Sequence, residues 1–172
     1  LVSIAFLREF GVLLTAIILA GRTASAFTAQ IGAMVSREEV DAIRTLGLDP
    51  IDLLVLPRTI ALLVMLPLLT FLAMTAGLAG GLSVGVLSLE ITPQAYLARM
   101  QDTFQFRHML VGLSKAPLFA LLIALIGCLE GLQVTGTAQS VGERTTSSVV
   151  QTISLVIVID AFAAIWFMHM GW

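Results

Sequence analysis

The chain has few charged residues, and long stretches of it have none. Charged residues make up 12% of the 172 residues, whereas hydrophobic residues make up 58%. No charge occurs between Arg58 and Glu90, although a helix needs only about 20 apolar residues to cross a bilayer. This composition is far from that of a soluble domain. We therefore predict an all-α polytopic membrane protein.

The sequence also has few of the residues that metal, redox or catalytic sites need. Cys128 is the only cysteine and excludes an internal disulfide, and the two histidines have no ligand spacing with other donors. The motifs of serine hydrolases, zinc proteases and nucleotide-binding loops are absent. The net charge of −2 gives no indication of nucleic-acid binding. We expect a protein that is not an enzyme and has no cofactor in this chain, so any ATP and Mg²⁺ would bind to a partner.

The apolar residues fall into segments that are each long enough to span a membrane. The four segments cover approximately 9–35, 59–89, 108–134 and 145–172. The connection at 90–107 is predicted to contain a short helix. We interpret 1–172 as a single transmembrane domain. Leu1 lies inside a hydrophobic segment with no basic region before it, so we expect a fragment that lacks a preceding membrane segment.

The densest group of charges lies between the first two segments, in the block SREEVDAIRTLGLDP at 36–50. Ser36 and Glu39 have the spacing of a capping box, and Gly47 is placed where a helix would end. The acidic residues of the first turns are Glu38, Glu39 and Asp41, and the apolar residues of one face are Val40, Ile43 and Leu46. The block predicts a short amphipathic helix outside the bilayer that contacts a partner.

Several charges lie within the predicted membrane segments, where each is costly unless it faces a partner or a cavity. At 1.5 Å per residue, Arg22 lies roughly 20 Å deeper than Glu9, whereas Lys115 and Asp160 come to a depth similar to that of Glu9. We therefore expect that Glu9, Lys115 and Asp160 can meet. Lys115 would either neutralise these carboxylates or offer its charge to an anionic headgroup, and the two roles are compatible. For Arg22 we favour a structural role, in which it holds helix ends or loop carbonyls near the 36–50 block.

Small residues recur at every fourth position in two places. The two ridges are Ala73, Gly77, Gly81 and Gly85, and Ala20, Ala24, Thr28 and Gly32. Such ridges let helix backbones approach closely. They indicate either packing within one subunit, which we favour, or a seam between two copies of the chain or a helix face that moves.

Several blocks, taken together and in order, resemble the MlaE/YrbE family of ABC-transporter permeases. They are LREFGVLLTAIILAGRTASAFTAQIGAM at 7–34, EEVDAIRTLGLDP at 38–50, LPR at 56–58, and GTAQSVGERTTSSVV at 136–150 with Asp160 after it. The similarity extends over essentially the whole chain.

The resemblance implies a multi-pass, homodimeric permease of the bacterial inner membrane. Two cytoplasmic ABC ATPase subunits would drive it, and a periplasmic lipid-binding protein of the MCE type would engage its other side. The family moves phospholipids or other lipids between the inner membrane and the cell envelope. Membrane lipids, and no nucleic acid, are thus the expected ligands.

The resemblance also implies roles for individual residues. The 36–50 block would be the cytoplasmic coupling helix, which contacts the ATPase through Glu38, Glu39, Asp41, Ile43 and Leu46. The 90–107 connection would lie in the periplasm. A lipid cavity at the dimer centre would be lined by the charged residues Arg8, Glu9, Lys115 and Asp160, and by the apolar candidates Leu13, Ile17 and Phe119.

Two other functions remain open from the residues alone. An ion-coupled secondary transporter would use Glu9, Lys115 and Asp160 as a proton relay. A membrane scaffold would recruit a cytoplasmic partner through the 36–50 block and would need no cavity.

Overall fold

The structure, a computed structural model, describes residues 5–88 and 106–170 together with Gln94 and Ala98. Every regular element in this part of the chain is helical, and four helices are long and apolar enough to cross a membrane. The prediction of an all-α polytopic membrane protein is confirmed. Apart from Gln94 and Ala98, the predicted short helix in the 90–107 connection lies outside the described residues.

Five helices are numbered here in chain order. They are α1 (Phe6–Ser36), α2 (Glu39–Thr45), α3 (Leu56–Ser88), α4 (Phe106–Leu132) and α5 (Ala138–His169). Helix α1 contains two π-helical turns, Phe6–Phe10 and Ala20–Ala24, and a third π turn, Ile51–Val55, precedes α3. The four predicted membrane segments correspond to α1, α3, α4 and α5.

Helix α5 begins earlier than the predicted start near Thr145. Its first residue is Ala138, because the hydroxyl of Thr137 caps the helix by accepting a hydrogen bond from the Ser140 N–H at 3.1 Å. Threonine is a favoured residue at this position because its oxygen satisfies one of the free N–H groups of the first turn.

Helix α4 lies at the centre of the bundle and packs against α1, α3 and α5. In the most apolar stretch of α4, 44% is buried, compared with 22% in the most apolar stretches of α3 and of α5. The core at this centre includes Val12, Ala16, Ala20, Leu66, Phe119, Ile123, Ala124 and Val156. The other long helices therefore keep large apolar faces exposed, as expected of helices that face lipid.

Small residues bring α1 and α4 into backbone contact. A Cβ added to Gly127 would lie 3.0 Å from both the Cα and the carbonyl oxygen of Ala24. The Thr28 hydroxyl donates a hydrogen bond to the Gly127 carbonyl at 2.8 Å. On the other ridge, a Cβ at Gly77 would collide with the ring of Phe6. At Ala24, Thr28 and Gly77, the small residues therefore pack helices within one subunit.

The turn between α1 and α2 differs from the predicted capping box. Ser36 is the last residue of α1, and its hydroxyl donates to the Gly32 carbonyl at 2.9 Å. Helix α2 begins only at Glu39, after Glu38 in a left-handed conformation (φ 61°), and no side chain caps it. The capping-box prediction is wrong because α1 extends through Ser36 and uses its hydroxyl.

The end of α2 is as predicted. Gly47 adopts a φ of 79°, which favours glycine, and its N–H donates to the Arg44 carbonyl at 3.0 Å. The N–H of Leu48 donates to the Ile43 carbonyl at 3.2 Å. This pair of bonds is a Schellman motif. The motif fixes where the helix ends and how the chain returns towards the membrane.

Candidate functional site

A cluster of opposite charges joins three helices within the membrane-spanning bundle. Lys115 on α4 donates hydrogen bonds to Glu9 on α1 and, at 3.0 Å, to Asp160 on α5. The Lys115 side chain is only 2% exposed, whereas that of Asp160 is 11% exposed and that of Glu9 is 27% exposed. The prediction that these residues meet is confirmed.

Arg8 completes the cluster and balances its charge. Its Nε atom lies 3.5 Å from Oε1 of Glu9, and its side chain is 21% exposed. Two cations thus face two carboxylates, so the cluster has no formal net charge. Because the charges are mutually compensated, the bundle can hold them in an apolar environment. Arg8 and Glu9 form the part of the cluster that is open to the surface.

Backbone geometry brings the members of the cluster together. Arg8 and Glu9 lie in the π turn Phe6–Phe10, an irregularity often found at functional sites. On α4, a Cβ at Gly112 would collide with the Leu7 carbonyl and lie 2.6 Å from Cε of Met74. Only glycine permits this approach, and it places Lys115, one turn further along α4, next to Glu9.

The apolar residues proposed for the cavity wall are in different environments. Phe119 is fully buried in the core of the chain. Its position does not support contact with a lipid, and we assign it to helix packing. Leu13 packs against the same core, and both Leu13 and Ile17 are half-buried. These two residues keep some surface that a ligand can reach.

A second polar cluster lies at the α2 end of the bundle. The buried carboxylate of Glu130 accepts hydrogen bonds from Arg144 at 3.0 Å, from Gln151 at 2.7 Å and from Ser147 at 3.4 Å. Sequence reasoning did not identify the partners of Glu130. The signal was available, since 144, 147 and 151 have the spacing of one helix face.

Arg22 is exposed on α1, halfway along the membrane-spanning bundle. Its side chain makes no hydrogen bond or ion pair with any residue that the structure describes. The carbonyls of Gly21 and Arg22 accept hydrogen bonds from the Ser25 hydroxyl instead, at 2.6 and 2.9 Å. The predicted role of Arg22 in holding carbonyls is therefore wrong for the described part of the chain.

Helix α2 projects from the bundle and presents a mixed surface. Val40 is buried and anchors the helix, and Ile43 is half-buried. The side chains of Glu38, Glu39 and Asp41 are exposed. Leu46 is 76% exposed, and the segment that follows continues this apolar surface with Leu48, Ile51 and Leu53. Such a surface on a short polar helix is suited to a protein partner.

An open pocket lies beside α2, where the end of α1 meets the start of α5. It has a volume of about 280 Å³ and is lined by Ala33, Ser36, Arg37, Ala138 and Val141. Within the described ranges, no group of three or more histidine, cysteine or acidic side chains is arranged to hold a metal ion.

Comparisons with known proteins show which family the chain is similar to. The family described as Permease MlaE matches residues 1–166. A probable ABC transporter permease of Synechocystis is 43% identical over 169 residues, which cover 98% of this chain and 64% of that protein. A probable ABC transporter permease of Rickettsia typhi is 36% identical over 157 residues, covering 91% of this chain and 61% of that protein.

A plant protein is similar as well. The chloroplastic protein TRIGALACTOSYLDIACYLGLYCEROL 1 of Arabidopsis thaliana is 35% identical over 158 residues, covering 92% of this chain and 45% of that protein. The chain thus spans less than two thirds of the length of these relatives. Because the family match extends over nearly all of its residues, the chain belongs to the MlaE family of ABC-transporter permeases.

Proposed function

We propose that this chain is the membrane subunit of a transporter that moves phospholipid or a related lipid between the bacterial inner membrane and the cell envelope. Two copies would form the pathway, two cytoplasmic ATPase subunits would bind α2, and an MCE-type protein would exchange lipid in the periplasm. The observation that carries the proposal is the projecting helix α2, anchored by Val40 but exposing Leu46. The Arabidopsis relative, whose name is that of a galactolipid, supports a lipid as the cargo.

Helix α1 provides a mechanical link between the two ends of the bundle. A tight turn joins its last residue, Ser36, to α2, and Arg8 and Glu9 lie in its first π turn. Its close packing on α4 means that a displacement of α2 moves α1 as a rigid body. Nucleotide-driven motion of the ATPase would thereby reach the charge cluster through a single helix.

The charge cluster is the proposed place where a lipid phosphate first binds. Arg8 is partly exposed, so an arriving anion meets its guanidinium first. Lys115 is enclosed and already paired with Glu9 and Asp160, which supports a positioning role in this conformation. A phosphate that binds Arg8 would compete with the Glu9 carboxylate for the guanidinium. This competition would perturb the ion pair between Glu9 and Lys115.

Charge reversal on α2 tests the proposal. In proteoliposomes that contain the whole complex, Glu39→Lys combined with Asp41→Lys should slow ATP-driven transfer of labelled phospholipid roughly tenfold, because a loss of about 1.4 kcal/mol in docking is a tenfold change in affinity. Glu143→Lys, an exposed acid on the same side but outside α2, is the matched control. Unchanged assembly and unchanged transfer in the α2 variant would refute docking through α2.

A proton-driven transporter is the second candidate, favoured by the joining of Glu9, Lys115 and Asp160 across three helices. It requires transport by the purified chain in liposomes under a pH gradient without any ATPase. A membrane scaffold, by contrast, requires that Lys115→Ala leaves lipid transfer intact while loss of α2 prevents recruitment of the partner.

A further inference from the structure

Arg22 lies on a continuous exposed stripe of α1. The stripe consists of every fourth residue: Phe10, Leu14, Ile18, Arg22, Ala26 and Gln30. Phe10 is 52% exposed and Ile18 is 66% exposed, so the half of the stripe that precedes Arg22 is apolar. Arg22 is 14 residues from Arg8, which corresponds to about 21 Å along the helix. The charge therefore lies near the middle of the membrane.

An arginine at this depth requires an anionic or strongly polar partner. Within the bundle, the described carboxylates already have partners: Glu9 and Asp160 pair with Lys115, and Glu130 pairs with Arg144. The other described carboxylates lie on exposed connections or at the start of α5, on the α2 side: Glu38, Glu39, Asp41, Asp49, Asp52 and Glu143. A second copy presents the same described groups and so offers no free carboxylate at this depth.

We propose that Arg22 is a phosphate-binding site for the headgroup of the transported lipid, midway across the membrane. This rests on the proposed function. A guanidinium binds a phosphate through two parallel hydrogen bonds, and the neighbouring Leu14 and Ile18 offer apolar surface to acyl chains. Ser25 binds the carbonyls of Gly21 and Arg22, and the Arg22 side chain makes no hydrogen bond with a described residue, so its guanidinium is available to a ligand.

Two further arginines lie near the two ends of the stripe on α1, so that Arg22 lies between them. Arg8 lies near the start of the stripe, next to the charge cluster. At the other end, Arg58 donates to the Gln30 side chain at 3.5 Å and lies 5.8 Å from the ring centroid of Phe27. A headgroup that moves along α1 would thus find a cation at the beginning, in the middle and at the end of one helix. Arg22 shortens the distance over which the phosphate lacks a counter-charge.

Photocrosslinking identifies what occupies the stripe. Benzoylphenylalanine replaces Ala26, one turn from Arg22, in the whole ATPase-bound complex in liposomes that contain ³²P-labelled phosphatidylglycerol. We expect a labelled lipid adduct that decreases about tenfold when Arg22→Gln is added, in keeping with the loss of charge-assisted hydrogen bonds. An adduct to protein, whether a second copy or another segment of the chain, would overturn the proposal, as would a lipid adduct that is indifferent to Arg22→Gln.

Transport measurements separate this site from the proposed function. Arg22→Gln should slow ATP-driven lipid transfer about tenfold, whereas Arg22→Lys keeps the charge but loses the paired hydrogen bonds and should slow transfer less. Leu68→Ala, at an exposed position on α3, is the control and should transfer lipid as the wild type does. If the wild-type complex transfers no lipid, the proposed function fails. If the wild type and Arg22→Gln transfer lipid equally well, only the Arg22 site fails.

Discussion

At the scale of single residues, the buried charges of the described part of the chain have identifiable partners. Lys115 and Glu130 are both buried. Lys115 pairs with carboxylates on α1 and α5, and Glu130 accepts hydrogen bonds from side chains near the start of α5. Exposed pairs such as Arg37 with Glu39, at 3.8 Å, belong to the surface. Buried and exposed pairs should respond very differently to the loss of one partner.

Lys115→Met tests the buried pair. Removing the ammonium leaves Asp160 without a cation and Glu9 with Arg8 alone, so we expect the free energy of unfolding in mixed micelles to fall by about 3 kcal/mol. Adding Asp160→Asn should recover part of the loss, because one uncompensated carboxylate is then neutral. Arg37→Met, in an exposed pair, is the control and should change stability little. A Lys115→Met protein as stable as the wild type would show that the ion pair is not buried.

At the scale of the elements, local signals were predictable and helix orientation was not. Gly47 ends α2 as predicted because a Schellman motif depends only on neighbouring residues. Ser36 was misassigned because the length of α1 is decided by packing against other helices. Phe119 was assigned to a cavity for a similar reason, since α4 is apolar on all sides and its sequence does not indicate which side faces the core.

The meeting of Glu9, Lys115 and Asp160 could be predicted from their depths along the helices. Counting residues from the ends of the helices brought Glu9, Lys115 and Asp160 to one level, and few charges compete there. The partners of Glu130 could not be found in this way. To find them, one must know where α5 begins and how it is rotated. The Thr137 cap makes α5 begin earlier than predicted.

Gly127→Ala tests the close approach of α1 and α4. The added methyl group would lie 3.0 Å from the backbone of Ala24, which cannot move aside as a flexible side chain would. We expect a loss of about 1–3 kcal/mol in the free energy of unfolding. Gly142→Ala on α5 is the matched control, since nothing lies within 4 Å of its added Cβ. It should gain about 0.5–1 kcal/mol from helix propensity. Equal stability of the two variants would contradict tight α1–α4 packing.

At the scale of the whole molecule, three of the long helices are tied to one another. Helices α1, α4 and α5 pack against one another, and the Thr28–Gly127 hydrogen bond ties two of them together. Helix α3 contacts α1 and α4, and most of its apolar stretch is not buried within the chain. We therefore expect a motion that begins at α2 to carry α1, α4 and α5 together, relative to a second copy of the chain.

A disulfide across this unit tests whether it moves as one body. A Cβ at Gly32 on α1 would lie 2.8 Å from Cγ2 of Val134, in the connection between α4 and α5, a separation close to what a disulfide requires. Gly32→Cys and Val134→Cys are introduced with Cys128→Ala, so that no other described thiol competes. Because the two segments already pack rigidly, we expect the oxidised complex to transfer lipid at nearly the rate of the reduced complex. If oxidation stops transfer and dithiothreitol restores it, α1 must slide against the α4–α5 pair during transport. The rigid link from α2 to the charge cluster would then be wrong.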